Sequence, residues 1–392
     1  MQYRVDKRSG NKLSVLGFGC MRFPGGMGRP NKEKTEKLLL QAVNGGVNYY
    51  DTAYMYPGSE EVIGEIFEKH KLRKKVYIAT KLPHCICNAA TDFDRLFDEQ
   101  KRRLRSKYVD YYSMHNFTDL AHWERLCQIG IETWITDKKK SGEIRQIGFS
   151  YHGSFNEYVK LLNAYDWDFV MIQYNYLNEH YQAGVKGLHF AAERDLPVFI
   201  MEPLLGGKLA APPKECVNIF QKARSYSTPV SWAFNWLWNQ SEVTVLLSGM
   251  NEISQLDENM KLASSSEPGM LNSSDMLTVQ KAAEVINKTY KIHCTGCNYC
   301  MPCPEKISIP DCMAAYNASY AIGWITGFSL YLNTVGIASR NQHYASDCTQ
   351  CGICEKKCPQ EIAVRKEMKR IKRRLQIPGT KFFPRIMRAF VR

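Results

Sequence analysis

The sequence predicts an α/β protein, a (β/α)8 barrel followed by a small, mainly helical, cysteine-rich unit. Between residues 13 and 260, eight short β-branched or aromatic runs alternate with longer amphipathic stretches. Eight strand-helix units in about 250 residues is the size of such a barrel; a doubly wound sheet is the competing arrangement of the same alternation. Beyond the barrel, nine of the 14 cysteines crowd into residues 294–358, a density that belongs to metal binding in a reducing compartment.

Residues 1–5 and 13–16 flank a Ser9-Gly10-Asn11 turn, as a small hairpin ahead of the barrel does. The eight runs are 13–21, 47–53, 76–82, 108–115, 144–150, 169–175, 196–203 and 243–249. Helices fill the gaps: Glu61, Ile63, Ile66 and Phe67 recur at helical spacing, and Trp232 and Trp236 share one face of a later helix, as core residues do. Residues 274–288 form one more amphipathic helix, and the Ser/Pro/Gly-rich 264–269 is the most linker-like stretch before it. The organisation expected is a barrel over 1–270, a helical linker and cysteine unit over 271–364, and a basic tail over 365–392. The long uncharged stretch 312–339 contains Asn317, Ser319, Thr326, Asn333 and several Gly, so a buried helical pair is expected there and no transmembrane span.

Composition narrows the class. Hydrophobic residues at 44% and charged residues at 23% exclude a disordered, collagenous or coiled-coil chain. The +13 net charge is local: residues 361–392 hold eleven Lys/Arg and two Glu, hence +9, which leaves +4 for the rest. No nucleic-acid partner is expected of so nearly balanced a body. The charged N-terminal residues lack the apolar core of a signal peptide, so a cytoplasmic location is expected.

In a (β/α)8 barrel the chemistry lies at the C-terminal ends of the strands. Asp51 closes the second run, Lys81 the third and His115 the fourth, and Tyr56 follows five positions after Asp51. These side chains suit one task. A tyrosine hydroxyl has a pKa near 10, and an adjacent ammonium lowers it so that the proton passes to a carbonyl oxygen as hydride reaches the carbon. Asp51 holds Lys81 charged and oriented, and His115 hydrogen-bonds the oxygen or relays the proton.

The segments GVNYYDTAYMYPGSEEVIGE (46–65), IATKLP (78–83), DYYSMHN (110–116), IRQIGFS (144–150), IQYNYLN (172–178), MEPLLGGKL (201–209) and LLSGMNEISQLDEN (246–259) resemble the aldo-keto reductases, in family order over some 260 residues. The resemblance implies an NAD(P)-dependent oxidoreductase that interconverts a small carbonyl compound and its alcohol, with Asp51, Tyr56, Lys81 and His115 as its catalytic set. No GxGxxG or GxxxxGK[ST] loop is present, which agrees with a nicotinamide cofactor bound without a Rossmann domain. Carried over by position, Ser150 and Gln173 hold the nicotinamide carboxamide. Pro203, Leu204, Gly206 and Lys208 line the pyrophosphate, and Ser248, Gly249, Gln255, Glu258 and Asn259 surround the adenosine. Two positions depart from the family pattern: Tyr151 stands where many members have Asn, and Met201 where many have a stacking tyrosine. No Lys or Arg lies between Gly249 and Glu258 to meet a 2′-phosphate, which favours NADH over NADPH.

Cys348, Cys351, Cys354 and Cys358, followed by Pro359, have the spacing C-x2-C-x2-C-x3-C-P, in which three thiolates grip one [4Fe-4S] cluster while the fourth reaches another. Cys294, Cys297, Cys300 and Cys303, followed by Pro304, depart from it by one residue. By that logic Cys294, Cys297, Cys300 and Cys358 bind one cluster, and Cys348, Cys351, Cys354 and Cys303 the other; two structural zinc sites of four cysteines each are the alternative. Cys312, Cys85 and Cys87 fit neither run and are expected to be unligated thiols. The barrel with a C-terminal dicluster unit resembles the iron-sulfur branch of the aldo-keto reductases. The spacer of 44 residues between the runs is longer than in compact two-cluster ferredoxins, so either an inserted helical pair or an α-helical ferredoxin is expected.

Val364, Met368, Ile371 and Leu375 lie on one helical stripe among Lys and Arg, ahead of the mixed aromatic and basic FFPRIMRAFVR. Such a cationic helix docks on its own domain, receives an acidic ferredoxin or flavodoxin, or meets anionic lipid or RNA. Hydride carries two electrons and each cluster takes one, so direct exchange lacks a mediator; a flavin supplies it, yet no flavin motif is present. Two further functions stay open beside the reductase: an electron-transfer protein coupling a nucleotide or flavin site to an acidic carrier, and a nucleotide-sensing interaction subunit with structural clusters.

Overall fold

The computed structural model describes the chain except residues 27–28, 289–290, 293, 295–299, 337–341, 359–361 and 382–392. A hairpin of Tyr3–Val5 and Lys12–Ser14 precedes a closed barrel of eight parallel strands, each paired with its neighbours in chain order. The strands are Leu16–Gly19, Tyr49–Asp51, Tyr77–Leu82, Val109–Phe117, Ile144–Tyr151, Phe169–Gln173, Val198–Met201 and Val243–Ser248. Each lies within one of the β-branched or aromatic runs, except that the fourth and fifth strands extend past their runs to Phe117 and Tyr151.

The period-2 alternation of strands sorts the side chains. Tyr49, Tyr111, Phe169 and Phe199 point inward, and their rings pack with centroids 4.8 to 5.5 Å apart in the floor of the barrel. Tyr50 and Tyr112, one residue later, face outward into the helix layer. The hairpin plugs the bottom: Leu13 joins the inner cluster, and Tyr111 donates its hydroxyl proton to Asp6 at 2.7 Å. With the floor filled, Asp51 and Lys81 occupy the next inward position toward the strand ends.

Local chemistry sets the helix starts. Asp119, Ser154 and Thr228 accept from backbone N–H groups of the turns that follow, and Pro229 takes the first helical position after Thr228. Trp232, Trp236 and Trp238 of the helix Pro229–Trp238 are buried in the core. The helix Ser273–Asn287 is closed by an Asn272–Asp275 capping box and buries Val279, Ala282 and Ile286 in the main core around the barrel.

After it comes a separate core. Helices Ile309–Ala321 and Trp324–Thr334 pack as a pair, and Val364–Leu375 lies across them with Val364, Met368, Ile371 and Leu375 buried. The uncharged stretch is therefore split into helices of 13 and 11 residues, and no described helix is long and apolar enough to cross a membrane. Gly327 makes the pair possible: a Cβ there would stand 2.5 Å from the backbone of Ser319. Cys312 is fully buried between these helices, while FFPRIMRAFVR lies outside the described residues. The two cores meet at Tyr181 of the barrel, buried among the C-terminal apolar residues with its hydroxyl 3.1 Å from Thr334 Oγ1.

Candidate active site and cysteine centre

The barrel mouth gathers Asp51, Tyr56, Lys81 and His115. Lys81 Nζ donates to Asp51 Oδ2 at 2.6 Å and to the Thr52 carbonyl at 2.7 Å. Both partners of this pair are buried, whereas Tyr56 and His115 are half-buried and face the opening. Lys81 Nζ stands 5.1 Å from the centre of the Tyr56 ring, and the Tyr56 and His115 rings meet edge to face at 5.9 Å.

Burial works against the Lys81 charge, yet Asp51 and Tyr56 together outweigh it and raise its pKa, so the ammonium is permanent. Burial pushes the Tyr56 phenol above its usual value while Lys81 pulls it down. The expected lowering by the ammonium is thus present but exceeded by desolvation. Burial and the Lys81 charge hold the His115 imidazole well below its usual value, so it stands neutral and able to donate one hydrogen bond.

Behind the pair lies a buried network. Gln100 Nε2 donates to Glu60 Oε1 and Thr80 Oγ1, each at 2.9 Å, and to the Lys81 carbonyl at 3.1 Å, while Tyr112 donates to Gln100 Oε1 at 2.7 Å. This network fixes the backbone that carries Lys81. Burial pushes the Glu60 carboxyl up to about 7, against the hydrogen bonds from Thr80 and Gln100.

Next to the tetrad, Gln173 ends the sixth strand with its side chain 1% exposed and both amide atoms without a hydrogen-bond partner. A buried amide left this way costs free energy unless a ligand meets it, and a carboxamide is its natural complement. Ser150 accepts the Asn116 N–H at 2.7 Å. Asn116 has φ 68°, a conformation Asn tolerates, at a break in the strand register that turns the chain just after His115.

The residues expected at the pyrophosphate lie on the loop after the seventh strand, where Glu202, Leu205, Gly206 and Gly207 all have positive φ and a 3-10 turn opens at Lys208. Pro203 is buried, Leu204 half-buried and Gly206 exposed. Arg22 donates to the Gly206 carbonyl at 3.0 Å, and its Cβ lies near Gly249. Arg22 thus stands over this loop as a cation, which no local sequence pattern marks because its partner lies 184 residues away. Asn259 donates to Ser248 Oγ at 3.1 Å, and Gln255 accepts the Asn251 N–H at 3.0 Å. Glu258 accepts the Thr228 hydroxyl proton at 2.7 Å. An unpartnered amide, a positive-φ loop and a flanking arginine fit a dinucleotide along the barrel mouth.

In the C-terminal unit, Cys300, Cys303, Cys348, Cys351 and Cys354 line one recess walled by Ile307, Ile309, Val364 and Met368. Cys303 of the first run is therefore brought beside three cysteines of the second. Gln350 Nε2 donates to Cys348 Sγ at 3.2 Å, a contact that suits a thiolate. Thiols, apolar walls and an N–H aimed at sulfur fit an iron-sulfur cluster. Cys294 lines a different recess, Cys358 is half-buried, and Cys297 lies outside the described residues. Among the described residues no three Cys, His, Asp or Glu converge closely enough for a single metal ion.

Comparison with known proteins adds to this geometry. Residues 15–282 match the aldo/keto reductase family, and residues 293–363 match the 4Fe-4S dicluster domain. The chain is 22% identical to the aldo-keto reductase yakc [NADP(+)] of Schizosaccharomyces pombe over 66% of its own length and 86% of that protein's. It is 23% identical to an oxidoreductase of Bacillus subtilis, YqkF, over 64% and 87% of the two chains. Among solved structures, the holo form of the aldo-keto reductase AKR11C1 of Bacillus halodurans superposes with a TM-score of 0.60 at 21% identity, covering 72% of this chain and 96% of that one.

Proposed function

The chain belongs to the aldo/keto reductase family of oxidoreductases and carries a 4Fe-4S dicluster domain behind the barrel, and on that premise we propose that it interconverts a small carbonyl compound and its alcohol with NAD(P)H. The observation that carries this reading is the buried Lys81–Asp51 pair beside a half-buried Tyr56 and a neutral His115 at the barrel mouth. NAD(P)H, when bound, supplies the hydride. Tyr56 gives its hydroxyl proton to the substrate oxygen, and the Lys81 ammonium stabilises the phenolate that remains. Asp51 keeps that ammonium in place, and His115 donates a hydrogen bond that orients the oxygen. Gln173 and Ser150 hold the carboxamide. Pro203, Leu204, Gly206 and Lys208 follow the pyrophosphate with Arg22 over them, and Ser248, Gly249, Gln255, Glu258 and Asn259 receive the adenosine. The stretch 250–258 has no Lys or Arg, which supports NADH as the reductant of this chain.

The clusters take Cys303, Cys348, Cys351 and Cys354 as one ligand set and Cys294, Cys297, Cys300 and Cys358 as the other; when bound they carry single electrons. The apolar recess that Cys303 shares with the second run supports the first set, and Cys300 of the other set lines the same recess. Arg365, Lys366, Lys369, Arg370, Lys372 and Arg373 are exposed on the helix Val364–Leu375, and this face suits an acidic ferredoxin or flavodoxin. Thiols kept reduced for ligation suit the cytoplasm.

Steady-state assay of Tyr56→Phe tests the reading: kcat for carbonyl reduction falls by about 10²- to 10⁴-fold with KM for NADH little changed. A variant that keeps its rate overturns Tyr56 as the acid, and a wild-type KM lower for NADPH than for NADH overturns the choice of reductant.

A further inference from the structure

The loops beyond Lys81 and His115 lock together. A short 3-10 turn, His84–Ile86, follows Lys81, and the helix Leu120–Gln128 follows His115. Arg125 of that helix donates to the His84 carbonyl at 2.6 Å and to the Cys87 carbonyl at 2.8 Å, and its guanidinium stands 3.5 Å from His84 Nδ1. The His84 ring meets Phe117 and His122 edge to face, with centroids 4.8 and 4.9 Å apart, while Phe117 and His122 stack on each other.

Apolar packing does not account for an imidazole at this place. The ring is 1% exposed, and a phenylalanine fills such a space against Phe117 and His122 without burying two polar nitrogens. Burial, with the His122, Arg125 and His115 charges about it, holds the ring well below its usual pKa, so it is neutral, with one donor and one acceptor. Nδ1 faces the Arg125 N–H, which leaves the proton on Nε2. Nε2 is buried without a hydrogen bond of ordinary geometry, and the backbone that acts on the ring is that of Asn116. Because the Asn116 N–H is given to Ser150 Oγ at 2.7 Å, the carbonyl is the group His84 meets. Bonds of this kind are often long in an unliganded site and tighten when substrate binds.

Asn116 directly follows His115, has φ 68°, and lies at the break in register between the fourth and fifth strands, so the ladder of strand hydrogen bonds does not fix its orientation. With Ser150 on its N–H and His84 at its carbonyl, this residue is held from both ends. We infer that His84 is a positioning residue of the reductase site: its Nε2–H holds the Asn116 carbonyl and thereby fixes the direction in which His115 offers its hydrogen bond to the substrate oxygen. This inference rests on the proposed function above. His84 acts through Asn116 on His115 and touches no reacting atom, and a shift of about 1 Å in a group that orients substrate is enough to slow a reaction about 100-fold.

The test is steady-state kinetics of the full-length, cluster-loaded protein, wild type beside His84→Phe, His84→Leu and His84→Gln, with a thermal melt of each. His84→Phe keeps the ring packing and His84→Leu an apolar volume, both without a donor, whereas His84→Gln places an amide N–H at the reach of Nε2. In the two variants without a donor, kcat for carbonyl reduction falls by about ten- to hundred-fold while KM for NADH stays within about two-fold of wild type, and His84→Gln restores most of kcat. Two such variants are made so that the comparison stands on whichever melts with wild type. Unchanged kcat without the donor, or a loss that His84→Gln does not restore, overturns the inference alone. A wild type inactive on carbonyl compounds overturns the reductase reading, and the inference with it.

Discussion

Glu60 is an inward-held carboxyl at the start of a helix, buried with Thr80, Gln100 and Arg103 around it. Its folded pKa of about 7 lies above the ordinary carboxylate value of 4.5. The folded state therefore holds this proton more tightly than the unfolded chain, so the contribution is fully present below about pH 4.5 and is lost as pH rises through about 7. Thermal melts across this window show the wild-type Tm falling with rising pH, and Glu60→Gln, which keeps the acceptor for Thr80 and Gln100, flattens that part of the profile. A slope unchanged in the variant assigns the loss to another group. His115 behaves in the opposite sense: burial and Lys81 keep it neutral, so its charge plays no part in activity near pH 7. Asp51, Lys81 and His115 were legible in the sequence because the strand periodicity alone sets which residues face inward at the mouth. Arg22 and Asn116 were not, because their roles depend on a loop 184 residues away and on a break in the strand register.

Among the elements, the helix pair Ile309–Ala321 and Trp324–Thr334 depends on one close approach. Gly327→Ala puts a Cβ 2.4 Å from Ser319 Cβ and 2.5 Å from its backbone, contacts that rotamer changes do not relieve. It costs about 1 to 3 kcal/mol, read as earlier urea unfolding of the C-terminal unit with the barrel transition unmoved. Cys303 links the elements differently, because it reaches the recess formed by the second cysteine run. Cys303→Ser is expected to lose cluster iron and visible absorption while Cys312→Ser, altering a buried thiol between helices, keeps both; equal iron in the two proteins removes Cys303 from the ligand set. The helix Val364–Leu375 was predicted from its apolar stripe, and that stripe is buried in the second core. The helix Ser273–Asn287, grouped by sequence with the cysteine unit, packs into the main core around the barrel. A linker-like composition over 264–269 marks a turn, not which of two cores the following helix joins.

At the scale of the whole molecule, the positive charge is concentrated in residues 361–392, at +9 of +13. Cys351 and Ile353 are exposed, Arg365 lies beside Gly352 between them, and Lys356, Lys357 and the other cations of the helix Val364–Leu375 except Arg374 are exposed as well, a basic surface. Binding of an acidic one-electron carrier should weaken steeply with ionic strength, and Lys366→Glu with Lys369→Glu should weaken it at least ten-fold at low salt. Surface plasmon resonance over a salt series reads both, and affinity indifferent to salt and to charge reversal leaves these cations a solvated face. The sequence by itself determined the barrel, the position of Asp51, Lys81 and His115 at the strand ends with Tyr56 just beyond, and the two cysteine runs, since these follow from periodicity and spacing within short segments. Only the tertiary structure decided that Cys300 lines the same recess as Cys303 and the second run, that Arg22 overhangs the Gly206 loop, and that Tyr181 is buried in the second core. It also decided that His84 packs on Phe117 and His122 beside the Asn116 backbone. Each joins residues far apart in the chain, and a contact of that kind is set by which surfaces pack together to bury apolar area, not by any local pattern.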